Sequence, residues 1–221
     1  VRIAIVTGAS GLVGQSLVTL LAEDPDYQRV LCLNRRQLAS ESPKVEHHQV
    51  DFQQLTAIGP ALKIGDASEI IGFCCLGTTL KQAGSRAAFA QVDFDYVSNF
   101  GQLLEALGAH HFSVISSLGA SRFSPSFYAR VKGKMEASVQ TLAIPSIAIL
   151  RPSLLLGPRR DKRPLEDWAK PLSQLMVGPL ARFAGIEAFD VAKAMIALAE
   201  DRTPGAKTYS SDEISRLAAA L

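Results

Sequence analysis

The first fourteen residues constrain this chain more than any other stretch. Ile3-Ala4-Ile5-Val6 is an apolar, β-branched-rich run that stops at Thr7-Gly8-Ala9-Ser10-Gly11-Leu12-Val13-Gly14, where a helical pattern begins at once. A buried strand feeding a glycine turn that opens a helix is how α/β proteins present backbone N–H groups to a diphosphate. The spacing Gly8-x-x-Gly11-x-x-Gly14 supplies a tight turn, a close backbone approach and a close helix–strand contact. Glycines also mark ordinary turns, so it is the flanking strand and helix that point to a cofactor loop.

The rest of the chain keeps the same alternation. Leu12, Val13, Leu17, Leu20 and Leu21 recur at helical spacing as far as Asp24-Pro25-Asp26. Apolar strand runs follow at 29–33, 45–50, 69–76, 112–115 and 146–150, with helix patterns expected at 55–62, 86–107 and 127–142. The helix face at 86–107 is drawn by Phe89, Val92, Tyr96, Val97, Phe100, Leu103, Leu104 and Leu107. Strands that are continuously apolar, separated by helices, predict a doubly wound parallel sheet covered on both faces. From Gly157 the texture changes, with Pro158, Pro164, Pro171 and Pro179 breaking the pattern. The expected organisation is a cofactor-binding domain over 1–156 and a small substrate-side cap over 157–221, integrated with it. Within that tail we expect a helix at 189–200, a seventh strand near 207–209 and a terminal helix, with Trp168 packing the cap on the sheet.

Composition narrows the function classes. With 221 residues, 48% of them hydrophobic, the chain can bury a large core. A net charge of +2 is too small to argue for nucleic acid. The apolar runs are strand-sized, so no transmembrane span is expected, and a strand pattern at the very start leaves no room for a signal peptide. Cys32, Cys74 and Cys75 sit in apolar runs, and neighbours on a strand point to opposite faces. They suit neither a disulfide nor a metal, and are expected as buried thiols in a reducing, cytoplasmic compartment. His47-His48 and His110-His111 have no partners at metal-ligand spacing, so no metal site is expected.

The cofactor is read from the end of the second strand. In dinucleotide folds an acidic residue about twenty positions past the glycines holds the adenosine ribose. That count reaches Asn34, followed by Arg35 and Arg36, and no carboxylate is there. Two guanidiniums can bind a 2′-phosphate through fork-like hydrogen bonds, which selects NADP over NAD; the plainer alternative is a pair of solvated loop arginines. Asp51 at the third strand's tip can accept from the adenine amino group, with Phe52 nearby. Leu76, Gly77, Thr78 and Thr79 close the fourth strand on the same edge, where a glycine lets the backbone pass close to the ribose.

Tyr128 and Lys132 stand four apart on an expected helix, so both side chains share one face. An ammonium beside a phenol favours the phenolate, which suits a tyrosine that exchanges a proton with a carbonyl or alcohol oxygen during hydride transfer. The preceding strand ends in Ser116-Ser117, and either hydroxyl can hold the substrate oxygen beside Tyr128 or simply cap a turn. The basic run 159–163 follows the sixth strand, where it can attract an anionic substrate or serve as a solvated loop.

Taken together, Thr7-Gly8-Ala9-Ser10-Gly11-Leu12-Val13-Gly14, Arg35-Arg36, Asp51-Phe52, Ser116-Ser117, Tyr128-Ala129-Arg130-Val131-Lys132 and Leu150-Arg151-Pro152-Ser153 resemble the short-chain dehydrogenase/reductase superfamily, on its atypical or extended side. Cys75-Leu76-Gly77-Thr78-Thr79, Val92-Asp93-Phe94-Asp95-Tyr96-Val97 and Val131-Lys132-Gly133-Lys134-Met135-Glu136 look like the subgroup related to the Tat-interacting oxidoreductase-like protein. The resemblance implies a Rossmann fold with bound NADP(H) and a catalytic Ser117, Tyr128 and Lys132. Lys132 would also hold the nicotinamide ribose, and Pro152, Ser153 and Leu154 would line the nicotinamide end. The implied activity is NADP(H)-dependent oxidoreduction of a small carbonyl or alcohol. A cofactor-sensing or protein-interaction role with little turnover is the alternative, and an epimerase or dehydratase that recycles its cofactor is a third option. The tail is short for a nucleotide-sugar substrate.

Overall fold

The computed structural model describes residues 1–156 and 185–220, apart from Glu41, Asp66 and Ser68. Its centre is a seven-stranded sheet whose paired neighbours all run parallel. The strands are β1 (Arg2–Thr7), β2 (Tyr27–Asn34), β3 (Val45–Gln49), β4 (Glu69–Cys74), β5 (His111–Ile115), β6 (Ser146–Arg151) and β9 (Gly205–Ser210), in the order β3-β2-β1-β4-β5-β6-β9. Two short strands, β7 (Leu155–Leu156) and β8 (Ile186–Glu187), pair separately. The order reverses between β1 and β4, and in open parallel sheets the crevice at such a switch is where ligands sit.

Both faces of the sheet are covered, which is why its strands read as unbroken apolar runs. On one side α1 (Leu12–Glu23) and α6 (Ala188–Asp201) bury Val13, Leu17, Leu21, Val191, Met195 and Leu198 against Ala4, Val6 and Leu150. On the other, α4 (Tyr96–Ala106) and α5 (Phe127–Val139) bury Val97, Phe100, Leu104 and Met135 against Ile3, Ile5, Phe112 and Ile149. Cys32 and Cys74 fall in opposite layers, as strand alternation requires, and all three cysteines are free thiols. A final helix, α7 (Ser211–Ala219), opens with a capping box in which Ser210 and Glu213 satisfy each other's backbone N–H groups.

Three stretches depart from the periodic expectation. The 55–62 helix is two short 3-10 turns, Leu55–Ala57 and Gly59–Leu62, because Pro60 cannot donate to a preceding turn and disfavours helical geometry at Gly59. The 86–107 helix is α3 (Arg86–Ala90) and α4 joined by a π-helical turn, Gln91–Asp95, and a one-turn α2 (Leu80–Ala83) precedes it. The expected strand near 207–209 is β9, so this part of the tail completes the main sheet beside β6. Trp168, the run 159–163 and the rest of 157–184 in the expected cap lie outside the described residues.

A buried histidine gives this fold a predictable acid limit. His111 is 1% exposed at the start of β5, with Nδ1 2.9 Å from Ser146 Oγ and Nε2 2.7 Å from Ser113 Oγ. Burial, with a smaller contribution from the Arg202 charge, pulls its pKa down to about 4. The unfolded chain takes up this proton near pH 6.5, so stability is intact above that value and drains away as pH falls toward 4. The expected loss from this group alone between pH 7 and 4.5 is about 2 to 3 kcal/mol. Urea unfolding of wild type and His111→Gln at both pH values checks it: the variant should lose less on acidification, and equal losses would disprove the assignment.

Candidate active site

Parallel strands all end on one edge, so the loops after β1, β2, β4, β5 and β6 converge there, as do their functional side chains. In the loop from β1 to α1 the three glycines have separate causes. Gly8 has φ +78°, and a Cβ there would lie 2.5 Å from the Cys75 carbonyl carbon, inside the loop after β4. A Cβ at Gly14 would overlap the Gly8 carbonyl oxygen, so α1 can enter this close to the turn only without a side chain. Gly11 donates its N–H to that same oxygen at 2.9 Å and begins α1, whose N-terminus no side chain caps. Gly8, Ser10, Gly11, Leu12, Val13 and Gly14 thus form one turn whose helix end is left for an outside acceptor.

At the neighbouring tip Asn34 is buried, its amide nitrogen 2.9 Å from His47 Nδ1. Arg35 and Arg36 follow it, both exposed and without an ion-pair partner among the described residues. Asp51 is exposed after β3, its Oδ1 accepting the Gln53 N–H at 2.9 Å. Phe52, by contrast, is turned into the core, its ring centroid 5.3 Å from that of Tyr96, which leaves Asp51 as the outward group there.

The other end is built on α5. Tyr128 is half-buried with its ring 5.4 Å from that of Phe89, and Lys132 lies one turn on, 2% exposed. The Lys132 ammonium is 2.8 Å from Asp93 Oδ1 and donates to the Ile115 carbonyl at 3.4 Å. Burial alone would strip its proton, but Asp93, with smaller contributions from Tyr128 and Cys74, outweighs burial and raises its pKa. Asp93 is fully buried, and its Oδ2 accepts the Thr78 N–H at 2.9 Å. A Cβ on Gly77 would sit 3.6 Å from Asp93 and 3.9 Å from Lys132 Nζ, so the Gly77-Thr78 backbone lies directly beside the ion pair. Leu76 precedes it half-buried, and Thr79 caps α2 by accepting the Gln82 N–H.

The two serines after β5 separate cleanly. Ser116 donates its hydroxyl to Glu136 Oε1 at 2.5 Å, deep in the protein. The Ser117 hydroxyl is shielded from solvent and has no hydrogen-bond partner among the described residues. Buried polar atoms are rarely left so. After β6, Pro152 is buried and its carbonyl accepts the Leu118 N–H at 3.2 Å, Ser153 receives a hydrogen bond from Ser211, and the Leu154 carbonyl accepts from Ile186. This turn therefore lies against the Ser117 loop.

Sequence spacing missed Asp93. Asp93 stands four residues from both Phe89 and Val97, on the face that they bury, while Val92 is half-buried, and a search for apolar residues at helical spacing passes over a carboxylate there. A carboxylate among otherwise apolar positions was the one available signal. Among the described residues no cluster of His, Cys, Asp or Glu could hold a metal, and no helix is long and apolar enough to cross a membrane.

These residues fit a dinucleotide: a glycine cradle that a side chain at Gly8 or Gly14 would fill, a helix N-terminus with no side-chain cap, two guanidiniums without an ion-pair partner among the described residues, and a tyrosine–lysine pair whose ammonium bonds the carbonyl of Ile115 at the end of β5. The profile of the NAD dependent epimerase/dehydratase family matches residues 4–210. Over 168 residues the chain is 37% identical to Protein HTATIP2 of Rattus norvegicus, covering 75% of this chain and 67% of that one. It is 31% identical over 159 residues to Protein FMP52, mitochondrial, of Meyerozyma guilliermondii, covering 71% and 66%. Both matches span about two thirds of those relatives. The Bordetella bronchiseptica enzyme WbmH in complex with NAD+ superposes with a TM-score of 0.70 at 16% identity, over 100% of this chain and 80% of that one, which speaks to the fold alone.

Proposed function

The chain belongs to the NAD-dependent epimerase/dehydratase family, and from that membership we propose that it is an NADP(H)-dependent oxidoreductase acting on a small carbonyl or alcohol. The observation that carries this proposal is the buried Asp93–Lys132 pair one helical turn from Tyr128, with the Lys132 ammonium hydrogen-bonded to the Ile115 carbonyl two residues before Ser117. A sensor of cofactor has no need of a lysine held charged beside a phenol.

In this reading Gly8, Ser10, Gly11, Leu12, Val13 and Gly14 hold the diphosphate, Arg35 and Arg36 the 2′-phosphate, and Asp51 the adenine. Leu76, Gly77, Thr78 and Thr79 border the riboses, with Ser116, Pro152, Ser153 and Leu154 at the nicotinamide end. When bound, the cofactor supplies hydride transfer. Tyr128 gives a proton to the carbonyl oxygen or takes one from the alcohol, and Ser117 holds that oxygen by a hydrogen bond. Lys132 stabilises the phenolate and reaches the nicotinamide ribose, and Asp93 keeps Lys132 protonated. The choice of NADP rests on the two arginines and on the missing carboxylate at Asn34.

Titration of NADPH and NADH fluorescence, followed by a screen of small carbonyls, tests both halves. Arg35→Ser with Arg36→Ser should weaken NADPH binding about 10- to 100-fold, the scale of one or two lost charge-assisted hydrogen bonds, and leave NADH nearly unchanged. Equal losses for both nucleotides would remove the case for NADP. Tight cofactor binding with no turnover on any substrate, together with a partner captured only when cofactor is present, would favour the sensor role.

A further inference from the structure

One turn beyond Lys132 on α5 stands a second buried charge that the acid–base chemistry does not use. Glu136 is 4% exposed and follows Tyr128 and Lys132 at the same four-residue interval, so all three face the sheet. Its carboxylate takes three hydrogen bonds: Ser116 Oγ at 2.5 Å, Arg151 Nε at 2.8 Å and Arg151 Nη2 at 2.5 Å. Each partner ends a different strand. Ser116 is the first residue after β5 and Arg151 the last of β6, so one carboxylate ties two strand tips to the helix that carries the tyrosine.

The neighbours of those partners are the functional groups. Ser117 follows Ser116 directly, so fixing the Ser116 side chain on α5 also fixes where the backbone carries Ser117. Arg151 precedes Pro152, whose carbonyl accepts the Leu118 N–H, while the Ser116 N–H bonds the Leu150 carbonyl at 2.7 Å. Catalytic geometry tolerates errors well below an ångström only when a surrounding shell is locked, and this carboxylate locks three elements at one point. A buried ion pair contributes little net stability against an apolar replacement, which leaves specification of geometry as its return.

We propose that Glu136 is a positioning residue: through Ser116 and Arg151 it sets Ser117 and the turn after β6 against Tyr128. This rests on the oxidoreductase reading for its consequence in turnover, while the clamp itself is readable without any substrate. The test compares wild type, Glu136→Gln and Ser116→Ala. The first variant keeps shape and removes charge; the second removes one hydrogen bond and leaves the Glu136–Arg151 pair to hold the fold. In both, kcat should fall at least about 10-fold, and in Glu136→Gln the NADPH dissociation constant and the carbonyl KM should stay within about 3-fold. Hydrogen exchange, followed by mass spectrometry, should show the amides of Ser116 and Leu118 exchanging faster and that of Gly11 unchanged. Conservative Glu136→Asp should recover less than Glu136 itself and more than Glu136→Gln.

Unchanged kcat in a folded variant would overturn the positioning role, whatever the exchange shows, and unchanged exchange would overturn the clamp. A wild-type protein inactive on every carbonyl, whose variants still loosen at Ser116 and Leu118, would sink the oxidoreductase reading and leave the clamp standing.

Discussion

Tyr128→Phe is expected to lower turnover about 100- to 10,000-fold, the range that a positioned general acid or base contributes, while NADPH binding stays within about 2-fold. The phenyl ring preserves the packing on Phe89, whose centroid lies 5.4 Å away, so the fold should not notice the change. Only the hydroxyl is lost, and with it the proton that a carbonyl oxygen needs as negative charge grows on it. The Ser117 hydroxyl remains to hold the oxygen, and it cannot replace an acid whose charge Lys132 stabilises. Steady-state kinetics with the best carbonyl from the screen, set beside a fluorescence titration of NADPH, separates the two quantities. Full activity in this variant would remove Tyr128 from the mechanism.

Asp93→Asn is expected to be costlier for the fold than its single-atom change suggests. It leaves the Lys132 ammonium buried without its counter-charge, and breaking one partner out of a buried pair costs about 3 to 5 kcal/mol. The amide oxygen can still accept the Thr78 N–H, so the loss is specific to the charge. The pH dependence has a definite sign. Lys132 has its folded pKa raised, so the stabilisation from the pair is complete below the unfolded lysine value near 10.4 and is lost as pH rises through the folded value. In the variant burial is largely unopposed, the folded lysine releases its proton at lower pH, and its penalty shrinks as it does. Urea unfolding should therefore show the gap between the two proteins largest at pH 7 and narrower at pH 10. A constant gap would mean that the lysine is not what the substitution disturbs. Turnover in the variant should also fall, because a lysine that releases its proton at lower pH is charged for less of the time and stabilises the phenolate less.

What could be read from the chain and what could not divides along one physical line. The glycine loop, the strands and the α5 pair are local: Gly8, Gly11 and Gly14 act within seven residues, Tyr128 and Lys132 within one turn, and a parallel sheet writes its burial into continuous apolar runs. Those elements stand in the structure where spacing put them, with strand ends differing by one or two residues. Asp93 is a different case, because an apolar-face count passes over a carboxylate even at a buried spacing, and its partner Lys132 stands on another helix far along the chain. The 3-10 turns at 55–62 were obscured by Leu55, Ile58 and Leu62, whose spacing suits a helix that Gly59-Pro60 cannot form. Ser116 and Ser117 were indistinguishable in sequence, since their difference is made by Glu136, twenty residues away in the chain and 2.5 Å away in space.

The position of β9 has a consequence for how the molecule is made. Residues 205–210 hydrogen-bond along β6, so until they have left the ribosome that side of β6 is an open edge with its N–H and C=O groups unpaired. That strand ends in Arg151, and the residues that follow form the turn against the Ser117 loop. The half built from β1, β2, β3 and α1 can assemble during synthesis, while the β5–β6 side waits for β9. A chain interrupted after residue 201 would carry a finished glycine turn beside an unfinished sheet, exposing a sticky border on β6 that residues 205–210 otherwise cover.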